Sequence, residues 1–108
     1  MNRNVLIAGG GIAGMATGFA LARAGGQAAV IERAPEFSEV GAGVQLGPNV
    51  TRILQAWGLG DALKHVAAFP AGLQARSMNT GEVLATLPLK DTVSIYGATY
   101  VTLHRADV

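Results

Sequence analysis

Three hydrophobic patterns follow one another along the chain. From Val5 to Ala8 the apolar residues are consecutive. From Ile12 onward they run through helix-favouring stretches, and from Leu73 to Leu87 they alternate with polar ones. The first pattern, a short apolar run between polar residues and glycines, predicts a parallel strand buried on both faces. Gly9, Gly10 and Gly11 break it, and Ile12 to about Ala24 predicts a helix that the Gly25-Gly26 pair ends. Ala28 to Ile31 is a second buried strand, closing on Glu32-Arg33. Gly14 and Gly18 are four apart and share one helix face. Each costs roughly 1 kcal/mol against alanine there, so close approach of that face to the sheet or to a ligand is the expected compensation.

Pro35 closes this unit, and residues 36–47 read as a glycine-punctuated loop whose Gly41, Gly43 and Gly47 imply tight backbone geometry or contact with something flat. Pro48 opens a second helix that Gly58 stops, and a short third helix is expected from Gly60 to Ala67. The alternation of Leu73 to Met78 and of Glu82 to Leu87, around an Asn79-Thr80-Gly81 turn, predicts a hairpin. Ala98 to Leu103 is one more strand, and His104 to Asp107 resembles a helix start. The order is that of an α/β fold built on a Rossmann-type βαβ unit with an incomplete parallel sheet. Residues 1–69 read as one part, the βαβ unit with the helices that follow it, and 70–103 as the beginning of a second sheet.

At 108 residues the chain has the size of one small domain. It is 50% hydrophobic and 14% charged, with a mean hydropathy of +0.35, which predicts a well-buried globular protein. A net charge of +1 and the lack of any basic run give no reason to expect nucleic acid as a partner. No apolar run approaches the roughly 20 residues needed to span a bilayer. The absence of cysteine removes disulfides, thiolate metal sites and cysteine nucleophiles and suits a reducing compartment; with no membrane-spanning run and no secretory signal pattern, the expected location is the cytoplasm. Acids and histidines do not converge on a metal-ligand spacing, and no metal is expected.

Gly9 to Gly14 fits GxGxxG. Gly9 permits the tight exit from the strand, Gly11 lets a pyrophosphate approach without a Cβ in the way, and Gly14 lets the helix pack closely on the sheet. The anion then sits at the helix N-terminus, opened by Ile12 and Ala13. The pattern alone is weak, but here it follows a strand, opens a helix, and precedes an acid at the end of a second strand, 18 residues after Gly14. Glu32 can accept hydrogen bonds from both hydroxyls of an adenosine ribose, and its charge would repel a 2′-phosphate. The turn implies a dinucleotide without choosing between FAD and NAD.

GGGIAG followed by IER, then EVGAGVQLGPNVTRIL, then YVTLHRADV resembles the N-terminal part of single-component flavin-dependent aromatic hydroxylases, among them the salicylate, 3-hydroxybenzoate and 6-hydroxynicotinate hydroxylases. The resemblance covers essentially the whole chain, with three separated motifs in the same order and spacing. It implies FAD as cofactor, NAD(P)H as co-substrate, a small aromatic acid or phenol as substrate, and a substrate-side location for the second sheet. It also places Glu32 on the adenosine ribose, Arg33 at the adenine end, and the segment with Gly43 and Gln45 along the ribityl chain and isoalloxazine. Some relatives carry a histidine where Gln45 stands. An amide can hydrogen-bond but cannot act as a general base, so Gln45 is assigned cofactor contact and no catalytic residue is assigned. Arg105 matches the arginine of the family's HRADL-like segment, which reaches the diphosphate or ribityl chain. A cation in a first helical turn opposes the dipole, and a phosphate partner explains it, since the guanidinium fork suits bidentate recognition. The plainer reading is a surface arginine paired with Asp107.

His65 and His104 read as surface and structural residues, Ile53, Leu54 and Trp57 as core packing, and Asp61 as a helix cap or dipole partner. The resemblance also implies a chain several times longer, with an aspartate-glycine fingerprint and a GDAAHP-type segment that are absent here. The expectation is therefore an N-terminal portion of a longer chain that does not turn over alone, with room for homo-oligomer formation. An NAD-dependent Rossmann oxidoreductase and a non-catalytic nucleotide-binding module remain the alternatives.

Overall fold

In the computed structural model, which describes residues 3–36 and 41–108, β1 (Asn4–Ala8) and β2 (Gln27–Ile31) pair in parallel, Asn4 opposite Gln27 and Ala8 opposite Ile31. The crossover is α1 (Ile12–Arg23). It ends in a Schellman arrangement: Gly25 N–H donates to Ala22 O at 3.0 Å and Gly26 N–H to Leu21 O at 2.9 Å, with Gly25 at φ +80°. These elements belong to one compact unit, Met1–Ser38.

The expectation that both strands are buried on both faces is corrected here. Val5 and Ile7 are half-buried beneath α1, whereas Leu6 is 67% exposed and Ile31 56%. One helix can cover only one face of a two-stranded sheet, and among the described residues of this unit nothing layers the other. The buried hydrophobic side chains, Leu89, Ala98, Val101 and Leu103, all lie outside this unit.

The second unit, Glu39–Val108, contains β3 (Gly43–Leu46), α2 (Pro48–Ala56), α3 (Gly60–Val66), β4 (Gly72–Arg76), β5 (Val83–Pro88), α4 (Thr92–Tyr96), β6 (Val101–His104) and a single 3₁₀ turn, Arg105–Asp107. Pro48 stands in the first turn of α2, and Gly58 stops that helix at φ +81° with a second Schellman pair, Gly58 to Gln55 and Leu59 to Leu54. The hairpin forms as expected: β4 and β5 are antiparallel with Leu73 opposite Leu87, and Gly81 turns at φ +73°.

Three expectations change in this unit. Part of the predicted loop is a strand, β3, because it finds an antiparallel partner far along the chain in β6, with Gly43 opposite His104 and Gln45 opposite Thr102. Phe37 to Val40 of that loop lie outside the described residues. The last strand starts at Val101 and pairs with β3, with an added bridge between Ala68 and Thr102, and does not extend the hairpin. α2 turns its apolar positions only partly inward: Ile53 is 45% exposed and Leu54 and Trp57 are half-buried. The buried residue of α2 is Thr51, whose hydroxyl donates to Thr99 O at 2.7 Å. Sequence pattern did not reveal it, since a threonine enters the core only where a carbonyl meets its hydroxyl. Among the described residues no helix is long and apolar enough to cross a membrane.

Candidate functional site

The turn between β1 and α1 is built from its glycines. Gly9 has φ +108°, a conformation L side chains rarely adopt, and its N–H donates to Ile31 O at 2.7 Å, which ties the turn to the end of β2. A Cβ on Gly14 would overlap the Gly9 carbonyl oxygen, so this position takes no larger residue in this geometry. Gly18 differs. A methyl there would sit 3.6 Å from Ile7 Cδ1 and Val30 Cγ2, ordinary contact. Close approach therefore accounts for Gly14 and not for Gly18.

The first helical hydrogen bond of α1 runs from Met15 N–H to Gly11 O at 2.9 Å. The amides of Ile12, Ala13 and Gly14 precede it and have no intrahelical acceptor. Gly11, the N-cap, has no side chain to cover them, and no acid stands in the first turn. Converging N–H donors and the positive end of the helix dipole suit a doubly charged diphosphate.

Glu32 follows β2 directly. One carboxylate oxygen accepts from Gly10 N–H at 2.7 Å and the other from Ala34 N–H at 3.0 Å. These two bonds, the Ala34 one first, hold its pKa below the ordinary glutamate value, with the adjacent Arg33 charge a smaller contribution. Glu32 is exposed, so its remaining lone pairs can meet a ligand. Arg33 is exposed beside it.

In the second unit the β3–β6 pairing assembles residues that the sequence keeps far apart. Gly43 stands opposite His104, Gln45 is two residues on with its side chain exposed, and Arg105 N–H donates to Ala42 O at 3.3 Å. The Arg105 stem lies along Gly41, whose φ is +135°; a Cβ there would come 3.2 Å from Arg105 Cδ. Among the described residues Arg105 forms no ion pair with Asp107 or any other acid. His104 is structural, its Nδ1 accepting from Ala106 N–H at 3.2 Å to open the 3₁₀ turn. Asp61 does not cap α3 but stands in its first turn, 3.8 Å from Lys64, an exposed pair of little energetic weight.

Sequence reasoning missed the contributions of Gly10 and Ala34, which act through backbone amides that carry no residue signature, and the way Gly41 seats Arg105. Among the described residues no cluster of acids and histidines could hold a metal.

Comparison with known proteins gives a consistent result. The family described as FAD binding domain matches residues 2–105. The 6-hydroxynicotinate 3-monooxygenase of Pseudomonas fluorescens is 42% identical over 104 residues, covering 95% of this chain and 27% of that protein. The 3-hydroxybenzoate 6-hydroxylase 1 of Aquipseudomonas alcaligenes is 38% identical over 108 residues, 99% of this chain and 27% of its own length. The chain thus spans about a quarter of these relatives. Among solved structures, Klebsiella pneumoniae HpxO complexed with FAD and uric acid superposes with a TM-score of 0.81 over 97% of this chain and 26% of that one, at 22% identity, a likeness of fold.

Proposed function

The chain belongs to the FAD binding domain family, and from that premise we propose that it supplies the FAD grip of a monooxygenase that hydroxylates an aromatic acid or phenol with NAD(P)H and O₂. The observation that carries the reading is the set of open amides at the start of α1, behind a turn that Gly9 and Gly14 shape. In it, Gly9, Gly11, Ile12, Ala13 and Gly14 hold the diphosphate. Glu32 accepts the adenosine ribose hydroxyls and Arg33 lines the adenine end. In the second unit Gly43 and Gln45 contact the flavin side, and Arg105 answers phosphate or ribityl oxygens. Bound FAD supplies the redox and oxygen chemistry. The residues of this chain bind and orient it, and the Gln45 amide donates and accepts hydrogen bonds without taking up a proton. The aromatic substrate class is supported by relatives named for hydroxynicotinate and hydroxybenzoate. The cofactors of such a reaction and the cysteine-free sequence suit the cytoplasm.

Titrating the purified chain with FAD and following flavin fluorescence tests the grip. Saturable binding is expected, and Gly14→Ala should abolish it. Binding of NAD in place of FAD would favour a nicotinamide oxidoreductase. The substrate class is tested by grafting this chain in place of the matching segment of the 6-hydroxynicotinate 3-monooxygenase. The chimera is expected to oxidise NAD(P)H in response to a hydroxylated ring acid.

A further inference from the structure

Glu32 does more in this structure than offer oxygens to a ribose. Resting on the reading of residues 9–14 and 32 as part of the FAD grip, we infer that Glu32 is a positioning residue for the diphosphate: its carboxylate clamps the peptide between Gly9 and Gly10 and so fixes the glycine turn in its anion-binding shape.

The argument starts from that one peptide plane. Its N–H belongs to Gly10, which is buried, and donates to Glu32 Oε2 at 2.7 Å. Its carbonyl belongs to Gly9 and occupies the space that a side chain on Gly14 would fill. A peptide plane is rigid, so the carboxylate on one side and the bare Gly14 on the other set its rotation together. Gly9 N–H is tied to Ile31 O at 2.7 Å, so two successive amides of the turn are fastened to two successive residues at the end of β2. The clamp is itself held, because Ala34 N–H donates to Glu32 Oε1 at 3.0 Å. A carboxylate has about four acceptor positions. The Gly10 and Ala34 amides are bonded one to each oxygen and the carboxylate is exposed, so a ribose diol can still reach it and clamp and ribose grip coexist. The charged neighbour that bears on the carboxylate is Arg33.

A purely ribose-binding Glu32 makes the opposite prediction about an anion without a ribose. Removing a nearby negative charge should help inorganic pyrophosphate bind, whereas removing the clamp should hinder it. The test is an amide-resolved NMR titration of the ¹⁵N-labelled chain and its Glu32→Gln variant with inorganic pyrophosphate and with ADP, read at Ile12, Ala13 and Gly14. In the variant the one remaining side-chain oxygen cannot serve both amides, and its NH₂ faces a donor. Pyrophosphate binding is expected to weaken about tenfold, the loss of one charge-assisted hydrogen bond, and ADP binding to weaken more. In the unmodified chain without ligand, the Gly10 and Ala34 amide shifts should follow one carboxylate titration below the ordinary glutamate value. This second reading needs no variant and stands even if Glu32→Gln misfolds. Unchanged or tighter pyrophosphate binding in Glu32→Gln, or a Gly10 amide that ignores the titration, would overturn the clamp. Failure of the unmodified chain to bind FAD would instead overturn the cofactor reading, and the two failures remain distinct.

Discussion

Gly14 and Gly18 lie on the same face of α1, one turn apart, and their surroundings set opposite expectations for a methyl group. At Gly14 the clash is with backbone, the Gly9 carbonyl, so no rotamer relieves it. Gly14→Ala should destabilise the first unit by about 3 kcal/mol and remove FAD binding. At Gly18 the nearest atoms are side-chain carbons at 3.6 Å, and alanine gains up to about 1 kcal/mol of helix propensity. Gly18→Ala should raise the unfolding midpoint in urea and leave FAD affinity unchanged. Glu32 sets a pH dependence. Its folded pKa is depressed by the Ala34 and Gly10 amide bonds, so its contribution is present above the unfolded value of about 4.3 and is lost as pH falls through the lower folded value. Melting curves taken downward from pH 7 should therefore show the unmodified chain's advantage over Glu32→Gln constant at first and shrinking once pH falls below the ordinary glutamate range. An advantage that does not shrink at all as pH falls below the ordinary glutamate range would mean that the carboxylate's charge is not what these amides recognise.

α1, α2, α3 and the hairpin were legible because their signals are local, whereas α4, five residues long, was not. Gly25-Gly26 and Gly58 mark two helix ends, Pro48 a helix start, and Asn79-Thr80-Gly81 a turn, and each acts within a few residues of itself. β3 was not legible. Val44 and Leu46 are half-buried and Gly43 and Gln45 exposed, but a run of only four residues between Gly41 and Gly47 carries little strand signal of its own. The partner that makes them a strand is β6, on the far side of the hairpin in sequence. The same pairing fixes Arg105, which the sequence offered as a ligand-facing residue without showing what holds it. Its backbone is fastened to Ala42 and its stem rests on Gly41. Gly41→Ala would meet φ +135°, which L residues rarely adopt, and would displace the Arg105 stem. Both Gly41→Ala and Arg105→Ala should weaken FAD binding, and the double substitution should weaken it little more than Arg105→Ala alone. A cycle of four affinities by flavin fluorescence measures this coupling. Strict additivity would show that Gly41 acts elsewhere than through Arg105.

At the scale of the whole molecule, composition and burial part company. Half the residues are hydrophobic, yet the buried hydrophobic side chains among the described residues are few and lie in the second unit, while Leu6, Leu84, Leu87 and Ile95 are each more than half exposed. Composition reports what a chain could bury, and the elements present decide what it does bury. The chain spans 27% of the length of the 6-hydroxynicotinate and 3-hydroxybenzoate hydroxylases named above. For the first unit the consequence is energetic. It has one helix on one face of two strands, and segments with few buried apolar contacts open at low free energy. A ligand that binds only the folded form adds RT ln(1 + [L]/Kd), about 2.7 kcal/mol at a hundredfold excess over Kd. That is a large fraction of what so small a core can supply. In a domain of this size each kcal/mol moves the midpoint by about 4–8 °C, so FAD at that excess should raise it by on the order of 10–20 °C. The rise should be linear in the logarithm of FAD concentration, and amide protection should increase along β1, α1 and β2. Gly14→Ala should show no rise at any FAD concentration, because the folded turn that selects the diphosphate cannot form. A midpoint indifferent to FAD in the unmodified chain would mean that the cofactor does not select the folded unit.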